Sequence, residues 1–109
     1  MPFSEILAAR TRDALTRRMD VAEQRMFGGL CFLMRGHILV GVRRDSLLAR
    51  LGEEEAAKAL KKPFVTQFGA PRRPMKGWVV IDPEGLDTDR QLTSWVEKAI
   101  AFVETMDPK

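Results

Sequence analysis

The sequence predicts an α+β domain with a central antiparallel sheet, and three observations carry that expectation. Residues 30–34 (Leu-Cys-Phe-Leu-Met) and 38–42 (Ile-Leu-Val-Gly-Val) are short apolar runs flanking Arg35-Gly36-His37, a glycine-containing turn, which reads as a β-hairpin. A third apolar run, residues 47–51, follows directly after Arg44-Asp45-Ser46, so successive strands are joined by turns too short for a parallel crossover. In the closing segment Leu92, Trp95, Val96, Ala99, Ile100 and Val103 recur at the offsets of a core-facing helix. The predicted order is α-β-β-β-α-β-β-α, with about five strands and one domain over residues 1–109.

Each element has a local reason. Ser4 is a helix N-cap with Glu5 in the positively polarised first turn. Phe3, Leu7, Ala14, Leu15, Met19 and Ala22 share one face, which carries the expected first helix through Ala22. Arg10 and Arg17 lie together beside that stripe, with Arg18 at its edge. Gly52 opens a short helix that begins Glu53-Glu54-Glu55 and ends Lys61-Lys62, both groups matching the helix dipole, and Pro63 stops it. Residues 64–68 and 78–81 read as two further strands joined by a loop over residues 69–77. Asp82-Pro83-Glu84-Gly85 is a turn, and Thr88-Asp89-Arg90-Gln91 has the spacing of a capping box for the last helix.

Composition narrows the function classes. The chain is 45% hydrophobic and 30% charged, which is globular and not disordered. Its 18 basic residues against 15 acidic ones give a net charge of +3, compatible with an anionic partner without requiring one. Cys31 stands alone, so no intrachain disulfide forms, which suits a reducing compartment. The start lacks a signal peptide's apolar stretch, and no run approaches the roughly 20 apolar residues of a membrane span. The expected location is cytoplasmic, away from membranes.

No catalytic residues, metal ligands or cofactor are expected. His37, the single histidine, sits in the predicted hairpin turn and reads as an exposed turn residue, without a serine placed to use it. Cys31, inside an apolar strand, reads as a buried packing residue rather than a nucleophile. One cysteine and one histidine do not make a zinc site. The Glu53 to Glu55 run is explained by a helix start. Gly28-Gly29 lacks the spacing of a phosphate-binding loop and precedes a strand, so it reads as a backbone bend or close approach.

The stretch from Arg72 to Trp78 is the sharpest binding feature. Arg72, Arg73 and Lys76 crowd a proline-stiffened connection ending at Trp78, a set able to grip phosphates and stack a base, with Arg10 and Arg17 as possible additions. Against this stands an ordinary solvated loop with Trp78 turned into the core. Strand segments apolar on both faces, with only three modest helices to cover them, raise the further expectation of a homodimer.

Arg25-Met26-Phe27-Gly28-Gly29-Leu30-Cys31-Phe32 resembles the Met-Phe-Gly-Gly signature of the TfoX/Sxy N-terminal domain family. The Gly36 turn, Asp45-Ser46-Leu47-Leu48-Ala49-Arg50-Leu51, Arg73-Pro74-Met75-Lys76-Gly77-Trp78 and the Asp82-Pro83 turn agree in order, so the match spans nearly the whole chain. The resemblance implies a compact α+β domain. It also implies a regulatory role tied to natural competence, where the full-length regulators act with the cAMP receptor protein at promoters. Those regulators carry a second, helical C-terminal domain, whereas this sequence ends at Lys109, so a stand-alone N-terminal domain is expected. The resemblance brings no catalytic residue. The resulting expectation is a non-enzymatic regulatory domain acting on an unidentified protein partner, with nucleic-acid or anion binding by the basic loop as the alternative.

Overall fold

The computed structural model describes residues 3–17, 20–26 and 28–107. Among them, six strands form one antiparallel sheet in the order β1-β2-β3-β4-β6-β5, with three helices. The strands are β1 (Val21–Met26), β2 (Gly29–Met34), β3 (His37–Arg43), β4 (Ser46–Arg50), β5 (Val65–Ala70) and β6 (Arg73–Ile81), and the helices are α1 (Glu5–Ala14), α2 (Glu53–Ala59) and α3 (Asp89–Val103). The α+β class and the element order stand as expected, with one strand added.

That added strand is β1. The spacing of apolar residues carries the first helix through Ala22, yet α1 ends at Ala14 with Leu15 as its C-cap, and Val21–Met26 pairs with β2 over six residue pairs. Arg18 and Met19 lie outside the described residues. Residues 21–26 are mostly helix formers, and ladder hydrogen bonds to a strongly apolar neighbour override that preference. Glu23 and Arg25 put charge on this edge strand, which discourages pairing with further chains.

The tight turns use left-handed backbone. Arg35 and Gly36 have φ of 57° and 84°, the pattern of a two-residue hairpin that continues the strand twist. His37 is therefore the first residue of β3 and not part of the turn. The second correction concerns residues 69–77, expected as a loop: β5 runs to Ala70 and β6 starts at Arg73, so only Pro71 and Arg72 connect them. Pro74 is tolerated there because β4 reaches only from Trp78 to Ile81 along β6, leaving the outer half of the hairpin paired to β5 alone.

The core lies between the sheet and the helices. Leu30, Phe32, Met34, Val40, Val42, Leu47, Ala49, Val79 and Ile81 are buried on one face of the sheet and join Leu7, Ala8, Ala56, Ala59, Leu92, Trp95, Val96 and Ala99 from the helices in one cluster. Ser4 caps α1 by accepting a hydrogen bond from the Leu7 N–H. Thr88 and Gln91 close the expected capping box on α3. The Trp95 indole N–H donates to the Gly85 carbonyl at 3.1 Å, so this large side chain is buried with its polar atom satisfied.

Candidate functional site

Strand alternation puts a second set of side chains on the opposite face. Cross-strand partners identify them: Cys31 lies opposite Gly41, Gly41 opposite Leu48, Leu48 opposite Val80, Leu33 opposite Ile38, and Arg50 opposite Trp78. None of these belongs to the helix-side cluster, and helices approach them at the Arg50 end, through Phe102 of α3 and Glu53 of α2. Leu33, Ile38, Val80, Phe68 and Trp78 are half-buried. Cys31 and Leu48 are buried because they close over the missing side chain of Gly41: a β-carbon there would stand 3.0 Å from Cys31 Sγ and 3.7 Å from Leu48 Cδ2. Burial pushes the Cys31 thiol up to about 11, so the expected packing role stands and a thiolate nucleophile is disfavoured.

The strands themselves put only basic charge on this open face, while Asp45 and Glu53 stand at its two ends. Its outward strand positions hold Arg43 and Arg50 and no carboxylate. The Arg50 guanidinium sits 5.0 Å from the centre of the Trp78 ring and 5.9 Å from that of Phe102 on α3, and Trp78 in turn lies 6.3 Å from Phe68. Arg50 makes no hydrogen bond or ion pair among the described residues, and burial lowers its pKa from the ordinary arginine value. A hollow of about 380 Å³ opens beside it, lined by Arg50, Lys76, Trp78, Phe102 and Glu53. A second hollow of about 340 Å³, at the Arg43 end, is lined by Arg43, Asp45, Leu48, Phe68 and Val80 among others. Pairing of β4 with β6 across an intervening helix is not readable from spacing, which is why the sequence did not single out Arg50.

The structure divides the expected basic site. Arg72, Arg73 and Lys76 are exposed on the β5–β6 hairpin, and only Lys76 lines the Arg50 hollow. At about 3.3 Å per residue, Arg73 is roughly 16 Å from Trp78 along β6. Trp78 is neither fully exposed nor turned into the core. Arg10 is engaged elsewhere, donating to the Leu86 carbonyl at 2.7 Å and to Asp89 at 3.2 Å, which ties α1 to the start of α3. Arg17 is exposed just past the end of α1.

The described residues of the Met-Phe-Gly-Gly signature lie where β1 meets β2. Met26 ends β1, Gly29 starts β2 opposite it, and Phe27 lies outside the described residues. Gly28 has φ of 73° with open space around it, whereas a β-carbon on Gly29 would stand 2.1 Å from the Val42 carbonyl oxygen. The bend and close approach read from the sequence are both present. His37 departs from expectation: it is 6% exposed, its Nε2 lies 2.7 Å from the Asp107 carbonyl oxygen, and its Nδ1 is buried without a partner. Facing the core beside Met34, it fastens the chain after α3 to the sheet, a contact between residues 70 positions apart. Among the described residues no group of three or more histidine, cysteine, aspartate or glutamate side chains is placed to hold a metal, and no helix is long and apolar enough to cross a membrane.

A family model for the TfoX N-terminal domain matches residues 13–103. The chain belongs to that family, which is not a known enzymatic one. No curated protein and no solved structure matches it.

Proposed function

We propose, with membership of the TfoX N-terminal domain family as the premise, that this chain is a non-enzymatic regulatory domain that docks a partner protein on the open face of its sheet. The observation that carries this reading is the half-buried set Leu33, Ile38, Phe68, Trp78 and Val80, which lies outside the cluster the sheet shares with the helices. An apolar patch rimmed by charge is the usual form of a protein-docking surface. The family's link to regulators acting at promoters supports transcription, competence included, as the setting, and the cytoplasm as the compartment. The test is capture from native extract by the parent chain, by Val80→Glu on the open face and by Arg90→Glu on α3. Loss of a captured protein in Val80→Glu alone, with all three chains folded, is expected. Identical capture by all three overturns the reading.

A second reading rests on the β5–β6 hairpin, where Arg72, Arg73 and Lys76 are exposed and form no ion pair among the described residues. Phosphate contacts there would lower the log–log salt slope for duplex DNA by about one unit for each cation removed. Arg72→Ala/Arg73→Ala binding random DNA as the parent does, or no binding by either, overturns it.

A further inference from the structure

We infer that the open face takes an acidic, apolar segment of the partner, with carboxylates seated on Arg43 and Arg50. This rests on the protein-docking reading and adds the chemistry of the partner. The two arginines lie at opposite ends of the apolar strip. Arg43 pairs with Ser46, four residues along β4 from Arg50, which separates their backbone positions by roughly 13 Å. Each borders a hollow of mixed lining, apolar at Leu48, Phe68 and Val80 at one end and at Trp78 and Phe102 at the other. Neither is paired with a carboxylate among the described residues, although Asp45 and Glu53 line the two hollows.

The Arg50 position is the more telling of the two. Two aromatic rings hold its planar fork in place, and its donors still lack an acceptor, so a carboxylate from outside completes a charge-assisted, two-pronged contact. An extended segment with two acidic residues about four apart and an aliphatic or aromatic residue between them spans the distance.

Other occupants fit less well. A second copy would bring its own Arg43 and Arg50 against these, with Asp45 and Glu53 at the ends of the face as the carboxylates to meet them and none along the strands between. A single-stranded nucleic acid needs free aromatic faces, but Arg50 occupies one face of the Trp78 ring and Phe68 lies tilted beside it. The aliphatic centre of Leu33, Ile38, Leu48 and Val80 suits side chains better than bases.

The test is a nuclear magnetic resonance titration of the labelled chain with a short peptide carrying Glu, Leu and Glu at alternate positions, set against the same peptide with Gln for Glu. The expected result is a shift of the Trp78 indole and Arg50 side-chain signals, with the Trp95 indole unmoved. Binding is expected to weaken about tenfold for the Gln peptide, and likewise for Arg50→Gln and Arg43→Gln. Arg43 is exposed, so its variant keeps the test valid even if Arg50→Gln folds poorly. Equal binding of the two peptides at this face overturns the acidic assignment and leaves protein docking standing. No shift with either peptide also overturns it. Self-association in sedimentation that Val80→Glu abolishes would replace the acidic segment by a second copy. Shifts produced at this face by a single-stranded oligonucleotide and by neither peptide overturn both the assignment and the docking reading.

Discussion

The two faces of the sheet are made by alternate residues of the same strands, yet they differ in what covers them. Val79 faces the helices and is fully buried, while Val80 faces away and is half-buried. On the helix side, Arg12 donates to both Glu23 carboxylate oxygens at 2.6 and 2.8 Å, and Arg10 bridges Leu86 and Asp89. On the open side, Arg43 and Arg50 have no such partner among the described residues. Apolar patterning alone does not distinguish core from surface in this sheet. Burial does, and at one end of the open face Arg50 is seated against two rings without a carboxylate partner among the described residues, poised for an external anion.

The two tryptophans give the largest contrast. Trp95→Ala removes a buried ring and a hydrogen bond and is expected to cost about 3 to 5 kcal/mol in denaturant melts. Trp78→Ala, on the open face, is expected to cost about 1 to 2 kcal/mol. Equal losses would mean that the open face is structural. Cys31 sharpens the comparison, because it lies on the open face and is still screened. With its thiol near 11, it is expected to react with a thiol probe at neutral pH at least about a hundredfold more slowly than a free cysteine. Rapid labelling would show that the Gly41 gap does not hold it closed.

The paired glycines are a smaller test. Gly29→Ala drives a β-carbon into the Val42 carbonyl and is expected to cost about 2 to 3 kcal/mol, whereas Gly28→Ala meets open space and costs about 1 kcal/mol for its positive φ. The smallest effect belongs to the Arg12–Glu23 pair. The hydrogen bond from Arg12 holds the Glu23 carboxyl below its ordinary value. Its stabilisation is therefore present above the unfolded carboxyl range, near pH 4, and fades as pH falls through the lower folded-state value. Because both side chains are substantially exposed, the difference between parent and Glu23→Gln is expected to stay within about 1 kcal/mol at neutral pH and to vanish in acid.

Elements with strong local signals were legible in the sequence. The capping box and apolar stripe of α3, the Ser4 cap, the Arg35-Gly36 hairpin and the glycine bend before β2 all follow from residues within a few positions of one another. What escaped depends on partners distant in sequence. The polar strand β1 is fixed by its ladder to β2, and residues 73–77 are fixed as strand by β5. His37 is buried because the chain after α3 returns to accept its hydrogen bond. Of the candidate site, Trp78 and Lys76 could be singled out from their loop. Arg50 could not, since its cradle joins β4, β6 and α3.

Methyl relaxation by a soluble paramagnetic probe, read on the dilute free chain, tests the division of the sheet most directly. Neighbouring residues of one strand serve as internal controls: Val79 against Val80 on β6, and Leu39 against Ile38 on β3. Val80 and Ile38 are expected to broaden strongly while Val79 and Leu39 are preserved. If all four methyl sets are protected alike, the second face is already covered, and it is not a docking surface waiting for a partner.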